Sequence, residues 1–174
     1  MTLQLTQKEK QLLKDQTSHE KVCIQKYQQY ASKAEDPQLK QLFRSYAQQE
    51  QTHLDTLNSL LNGQAPSMSQ QGQSQGQGQQ GMQSQAGQSQ QANGQSGAQA
   101  TSLTGAAQAS QADAMLCSDM LMTEKYVSGA YDTAIFEFTD ANVRQTLNHI
   151  QKEEQQHGEG IYNYLSSHGM YSTQ

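Results

Sequence analysis

Glu20, Glu50, His53, Glu124, Glu154 and His157 fall as two copies of one pattern, a Glu followed thirty residues later by Glu-x-x-His. Residues of these types in this arrangement can hold metal. Four-helix carboxylate proteins build a dinuclear iron or manganese centre from one Glu on each of two helices and a Glu-x-x-His on each of the other two, all projecting inward. Three residues is slightly under a helical turn, so the Glu and His of each motif share a face. The competing reading takes them as surface charges or salt-bridge partners of the eleven Lys and Arg. Chance argues against it, since nine Glu and five His in 174 residues give by random spacing roughly a quarter of one Glu-x-x-His pair. The chain has two, in register. A centre that keeps its residues but has lost its metal is the remaining alternative.

Four carboxylates with two imidazoles and no thiolate form an oxygen-rich set, which favours two iron or manganese ions over zinc. Burying unpaired carboxylates costs several kcal/mol each, and four close together also repel one another, so cations would offset a large penalty. Glu20 and Glu124 are terminal or bridging in this scheme. Gln49 and Glu153, just before each motif, are candidates to accept the second ring N–H of the opposite His. Cys23, Tyr27 and Tyr131 share the inward faces; the two tyrosines could be redox-active or hydrogen-bonded to a ligand, but all three read first as core residues. His19, His149 and His168 lie off the stripe, and no residue is assigned a catalytic role.

The elements that must position these six residues come from an internal repeat. At an offset of 104, Gln7 meets Gln111, Asp15 meets Asp119, Glu20-Lys21 meets Glu124-Lys125, Tyr27 meets Tyr131, Asp36 meets Asp140, and Glu50-Gln51-x-His53 meets Glu154-Gln155-x-His157. The chain is therefore read as two helical hairpins. Thr6-Gln7-Lys8-Glu9 and Ser110-Gln111-Ala112-Asp113 read as N-terminal capping boxes. Asp36-Pro37 and Asp140 start the second helix of each copy, and Gly63 and Gly169 can end them. This predicts helices over 6–33, 37–62, 111–138 and 141–167. Apolar stripes run through the six residues, for example Leu39, Leu42, Phe43 and Tyr46, then Glu50 and His53, then Leu57, Leu60 and Leu61. Glu20 and Glu50 each lie fifteen residues from position 35, so at about 1.5 Å per residue both stand roughly 22 Å from that turn. One hairpin puts both in one layer, and the other does the same for Glu124 and Glu154.

Between the hairpins the composition changes. Thr56 to Ala112 contains no Asp, Glu, Lys, Arg or His, and residues 64–110 are a mixture of Gln, Gly, Ser and Ala, about a third of it Gln. Such a tract has too little apolar surface to offset the entropy of ordering, so it is expected to be a disordered crossover. A Gly-rich coil of roughly 50 residues reaches about 35 to 42 Å r.m.s., enough to run the length of a 26-residue helix. The expectation is an all-α fold, a ferritin-like four-helix bundle in a single domain over 1–174, with hairpins at 6–62 and 111–168 and the linker at 64–110. The net charge of −5 and the absence of basic clusters argue against nucleic acid or anionic membrane as partner. The first residues have no apolar signal region and no run spans a membrane, so a soluble product made in the cytoplasm is expected. Cys23 and Cys117 form no metal or redox spacing and read as reduced core thiols.

The six-residue pattern resembles the ferritin-like superfamily, which includes ferritins, rubrerythrins and manganese catalases. Residues 19–61, HEKVCIQKYQQYASKAEDPQLKQLFRSYAQQEQTHLDTLNSLL, are similar to the Coat F family of spore coat proteins. That resemblance implies synthesis in the mother cell and assembly into the spore coat with other coat proteins; a homo-oligomer is a further arrangement left open. It also implies that the Gln-rich tract and the eight Tyr can serve as crosslinking sites. Two functions stand: a structural coat protein holding a dinuclear iron or manganese carboxylate site, or a di-iron or di-manganese oxidoreductase that consumes peroxide or dioxygen in catalase- or ferroxidase-like chemistry. Whether the chain is an enzyme stays open. It lacks the four-cysteine electron-delivery module of rubrerythrins.

Overall fold

Thr6 starts the first helix as expected. Its Oγ1 accepts from Glu9 N at 3.2 Å while the Glu9 carboxylate accepts from Thr6 N at 2.7 Å, a reciprocal box that satisfies donors the first turn leaves free. A computed structural model describes residues 3–64 and 100–171, of which 100–110 are followed as helical backbone alone. Its elements are α1 (Gln7–Lys33), α2 (Pro37–Leu61), α3 (Ala100–Ile135) and α4 (Ala141–Ser167). Asp36 and Asp140 cap α2 and α4 by accepting from the amides of Gln38 and Asn142, each at 2.8 Å. Gly63 and Gly169 follow α2 and α4 with φ of 76° and 65°, the left-handed conformation that a helix end takes most cheaply at glycine.

The third helix departs from expectation. It begins at Ala100 rather than at 111, so residue 110 lies inside the helix and not at its N-cap. Residues 100–110 hold no proline, and Ala100, Ala106, Ala107 and Ala109 have the highest helix propensity of any residue, which outweighs the low apolar content used to assign them to the linker. The helix also ends three residues early, at Ile135. The disordered crossover expected between the hairpins falls, over 65–99, outside the described residues.

Asp113 has a different task from the capping one assigned to it. Its two carboxylate oxygens accept from the backbone amides of Glu35 and Asp36, at 2.9 and 3.0 Å, in the turn between α1 and α2. Glu9, its repeat counterpart, does the same for the other turn, accepting from Thr139 N at 2.8 Å and Thr139 Oγ1 at 3.0 Å. Each hairpin thus closes the turn of the other. Because Asp113 is buried, Asp113→Ala leaves two amides without a partner and is expected to cost about 1–3 kcal/mol. Thermal unfolding followed by circular dichroism should show a fall of roughly 2–4 °C per kcal/mol. An unchanged midpoint would mean that the turn does not depend on this contact.

These contacts fix the topology. α1 lies antiparallel to both α2 and α3, and α4 antiparallel to both α3 and α2, as shown by Glu9 reaching Thr139, Tyr27 reaching Glu124, Tyr30 reaching Asp119, and Asp36 meeting Tyr164. Parallel α2 and α3 cannot be joined by a short turn. Leu3 N bonds Gly63 O at 2.9 Å, so α2 ends beside the start of α1, whereas Asp113 of α3 lies at the opposite end. This is the ferritin-like arrangement of two hairpins. The core runs along the bundle axis and includes Leu13, Tyr27, Leu39, Phe43, Leu57, Met120, Tyr131, Leu147, Ile150 and Ile161. Among the described residues no helix is long and apolar enough to cross a membrane.

Candidate metal centre

Each of the four helices interrupts its apolar stripe with charge at the same level of the bundle. Glu20, Glu50, His53, Glu124, Glu154 and His157 are all at most 2% exposed, so the reading of them as surface charges does not hold. The structure brings all six together as two overlapping quartets, Glu20, Glu50, His53 and Glu154 on one side and Glu50, Glu124, Glu154 and His157 on the other. Within each quartet one donor atom per residue lies within 4.8 Å of all the others. Glu50 and Glu154 are common to both. Glu154 directs Oε1 to His53 Nδ1 at 2.9 Å and Oε2 towards His157 Nδ1 at 3.7 Å. Glu50 mirrors it, with Oε1 at 3.0 Å from His157 Nδ1 and Oε2 at 3.4 Å from His53 Nδ1. Glu20 and Glu124 each meet a single imidazole, at 3.6 and 4.0 Å. Glu20 and Glu124 each belong to one quartet alone.

The outward nitrogens of both imidazoles are already used. His53 Nε2 lies 2.8 Å from Glu153 Oε2 and His157 Nε2 lies 2.9 Å from Gln49 Oε1, the two partners expected from their places before each motif. A neutral imidazole that donates through Nε2 presents a lone pair at Nδ1. Two such lone pairs then face carboxylate oxygens at close range, which is favourable only with a cation between them, either a proton or a metal. Glu20 Oε2, Glu124 Oε2 and both oxygens of Glu154 are buried with no hydrogen-bond partner. Buried polar atoms are nearly always satisfied. Orphaned oxygens and inward nitrogens of this kind fit a pair of hard cations.

The electrostatics divide the carboxylates. Burial raises Glu20 and Glu124 well above the usual carboxylate range. Burial also works to raise Glu50 and Glu154, but the His157 and His53 imidazoles beside them outweigh it and hold both below that range. For the imidazoles burial acts downwards, and the surrounding carboxylates reverse it, raising His53 well above and His157 above the ordinary value. Without metal, these shifts favour protons on Glu20, Glu124 and both imidazoles.

Four further residues shape the site: Tyr27 and Tyr131, read first as core, and Tyr46 and Gly160, which spacing did not single out. The Tyr27 hydroxyl donates to Glu124 Oε1 and the Tyr131 hydroxyl to Glu20 Oε1, each crossing from one hairpin to the other. Burial and the neighbouring carboxylates keep both phenols protonated, so they are fixed donors that orient those two carboxylates. The signal for them was present, since both stand two turns after a repeat-matched Glu. Tyr46 lays its ring 4.3 Å from the His157 ring, and Gly160 makes room for it: a Cβ there would lie 1.8 Å from the Tyr46 hydroxyl. Cys23 is buried as expected, and burial pushes its thiol far above the ordinary range, which makes it a poor metal ligand. Cys117 is buried too, with its thiol pushed up to about 12.

Comparison with known families divides the chain hairpin by hairpin. Residues 5–78 match the Rubrerythrin family and residues 112–174 match the Coat F domain. The Coat F match thus falls on the second hairpin, not on residues 19–61 where the sequence resemblance was drawn. No curated protein and no solved structure matches the chain. A Rubrerythrin-like first hairpin and a second hairpin matching the Coat F domain pack as two halves of one bundle, and together support a Coat F protein with a ferritin-like fold.

Proposed function

We propose that this chain is a spore-coat structural protein whose bundle, as a single ferritin-like domain, holds two iron or manganese ions through Glu20, Glu50, His53, Glu124, Glu154 and His157. One observation carries the metal reading: two imidazole Nδ1 atoms and four unpartnered carboxylate oxygens converge in a buried core. The donor set supports iron or manganese, because oxygen donors dominate and neither buried thiol is among the residues that converge. Glu50 and Glu154 would bridge, Glu20 with His53 and Glu124 with His157 would complete each side, and Glu153, Gln49, Tyr27 and Tyr131 would hold the ligands in orientation. Such a pair supplies Lewis acidity and redox capacity when bound. The coat reading rests on the Coat F match, which supports association with the spore coat; synthesis in the mother cell and assembly among other coat proteins are part of the same proposal.

Metal content tests the centre directly. Protein purified without added metal is expected to carry iron or manganese at about two ions per chain, and His157→Ala is expected to lose at least the ion on its own side. Sub-stoichiometric metal in the parent, unchanged by the substitution, would sink the proposal. Peroxide consumption by the loaded protein would put the oxidoreductase alternative ahead.

A further inference from the structure

The two hairpins supply equivalent ligands, but their outer walls differ. Between α3 and α4 a cavity of about 340 Å³ is lined by Leu121, Glu124, Lys125, Ser128, Glu154, Gln155 and Gly158. Glu124 and Glu154 are buried, so they form its inner end, and they contribute three of the four unpartnered oxygens of the cluster. The repeat shows what opens it. At the positions 104 residues earlier, Ile24 stands in place of Ser128 and Leu54 in place of Gly158. Leu54 is buried, filling on the first hairpin the space that Gly158 leaves on the second. A Cβ at 158 would lie 3.6 Å from Leu121 Cδ1 and 3.9 Å from Glu124 Cβ, ordinary contact that leaves the glycine without a steric reason. Glycine inside a helix costs about 1 kcal/mol relative to alanine, so its place in α4 calls for another explanation.

We propose that the cleft beside Gly158 is a port by which a small hydrogen-bonding anion reaches the Glu124–His157 side of the metal pair, and that Ile24 and Leu54 shut the matching route on the first hairpin. The inference rests on the metal reading above and deepens it. The volume is at the low end for small-molecule clefts, roughly 300–1,000 Å³. The Lys125 ammonium favours negative charge, and Ser128 and Gln155 offer hydrogen bonds along the way. Only one of the two metal positions is then open to an outside ligand, although the ligands themselves are matched.

Azide, a linear three-atom anion that perturbs the spectrum of iron on binding, serves as the probe. Iron-loaded parent protein, a Gly158→Leu/Ser128→Ile double variant that copies the first hairpin, and a Gly129→Leu control are titrated with azide after their iron content is measured. Gly129 is exposed on α3 and a Cβ there would meet nothing within 4 Å, so it controls for adding leucine to a helix. The expected result is equal iron in all three, and azide affinity at least tenfold weaker in the double variant only. Removal of iron by a small anionic chelator should slow in the same variant. Iron-loaded double variant that binds azide as the parent does overturns the port while leaving the metal centre standing. A parent that binds no iron overturns the centre and the port together. Should the double variant lose iron, Gly158→Ala, which adds only a methyl group in ordinary contact, gives the same comparison with a smaller expected loss, and unchanged azide affinity there overturns the port.

Discussion

Glu154→Ala is expected to abolish binding of both metal ions, whereas Glu20→Ala is expected to remove one. The difference follows from membership: Glu154 belongs to both quartets and Glu20 to one. Glu154 also turns one oxygen to each imidazole, and neither oxygen has a hydrogen-bond partner. Its neighbours His157 and His53 keep it ionised against the pull of burial, so it is a ready anion for both positions. Loss of a partner that merely orients a ligand costs about 10–100-fold in metal affinity. Loss of a shared ligand should cost more than that at each position. Glu154→Gln keeps the shape and removes the charge, and is expected to fall between the parent and the alanine variant. Metal per chain by elemental analysis, with circular dichroism as a check on folding, makes the comparison. A folded Glu154→Ala protein that keeps one full equivalent would show that Glu154 does not bridge.

The opposite ends of the bundle allow the same kind of argument without metal. Glu9 and Asp113 occupy equivalent positions in the repeat and each secures the turn of the other hairpin. The sequence marked both as capping acids. For Glu9 that was correct and incomplete, because one carboxylate oxygen caps α1 and the other reaches Thr139. For Asp113 the cap was wrong, since α3 continues back to Ala100. Local chemistry identifies a residue able to accept from amides. Which amides it meets depends on how the hairpins pack.

That distinction explains what was legible in the centre. Spacing and repeat placed Glu20, Glu50, His53, Glu124, Glu154 and His157 on inward faces, at one height within each hairpin, because these relations are fixed by helix geometry and hairpin length; that Gln49 and Glu153 meet the opposite imidazoles depends also on how α2 packs against α4. The hydroxyl contacts of Tyr27 and Tyr131 cross between hairpins and depend on their rotation about the bundle axis. An apolar stripe leaves that rotation free by tens of degrees. The Gly158 cleft was written in the sequence as a departure from the repeat, Gly and Ser against Leu and Ile, but a missing side chain gains meaning only when the space it leaves adjoins the buried carboxylates.

Metal is expected to stabilise the fold increasingly as pH rises from about 5 to 8, while the metal-free protein loses stability over the same range. Glu20 and Glu124 have folded values raised above the ordinary 4.5, and His53 and His157 have values raised above 6.5. A raised folded value gives stability that is complete below the unfolded value and is lost as pH climbs through the folded one. All four groups therefore weaken the metal-free bundle on the alkaline side. Glu50 and Glu154, held low, act in the other direction and lose their contribution only as pH falls below the carboxylate range. Metal needs the deprotonated forms, so each proton it displaces makes its affinity rise about tenfold per pH unit, or about 1.4 kcal/mol. At free metal 100 times its dissociation constant the gain for one site is about 2.7 kcal/mol, which raises the unfolding midpoint by roughly 5–10 °C. Melting curves with and without manganese at several pH values read this directly. A metal-induced shift that stays constant or shrinks with rising pH would mean that protons and metal do not compete for the cluster, and the bare lone pairs inferred at His53 and His157 Nδ1 would have to be abandoned.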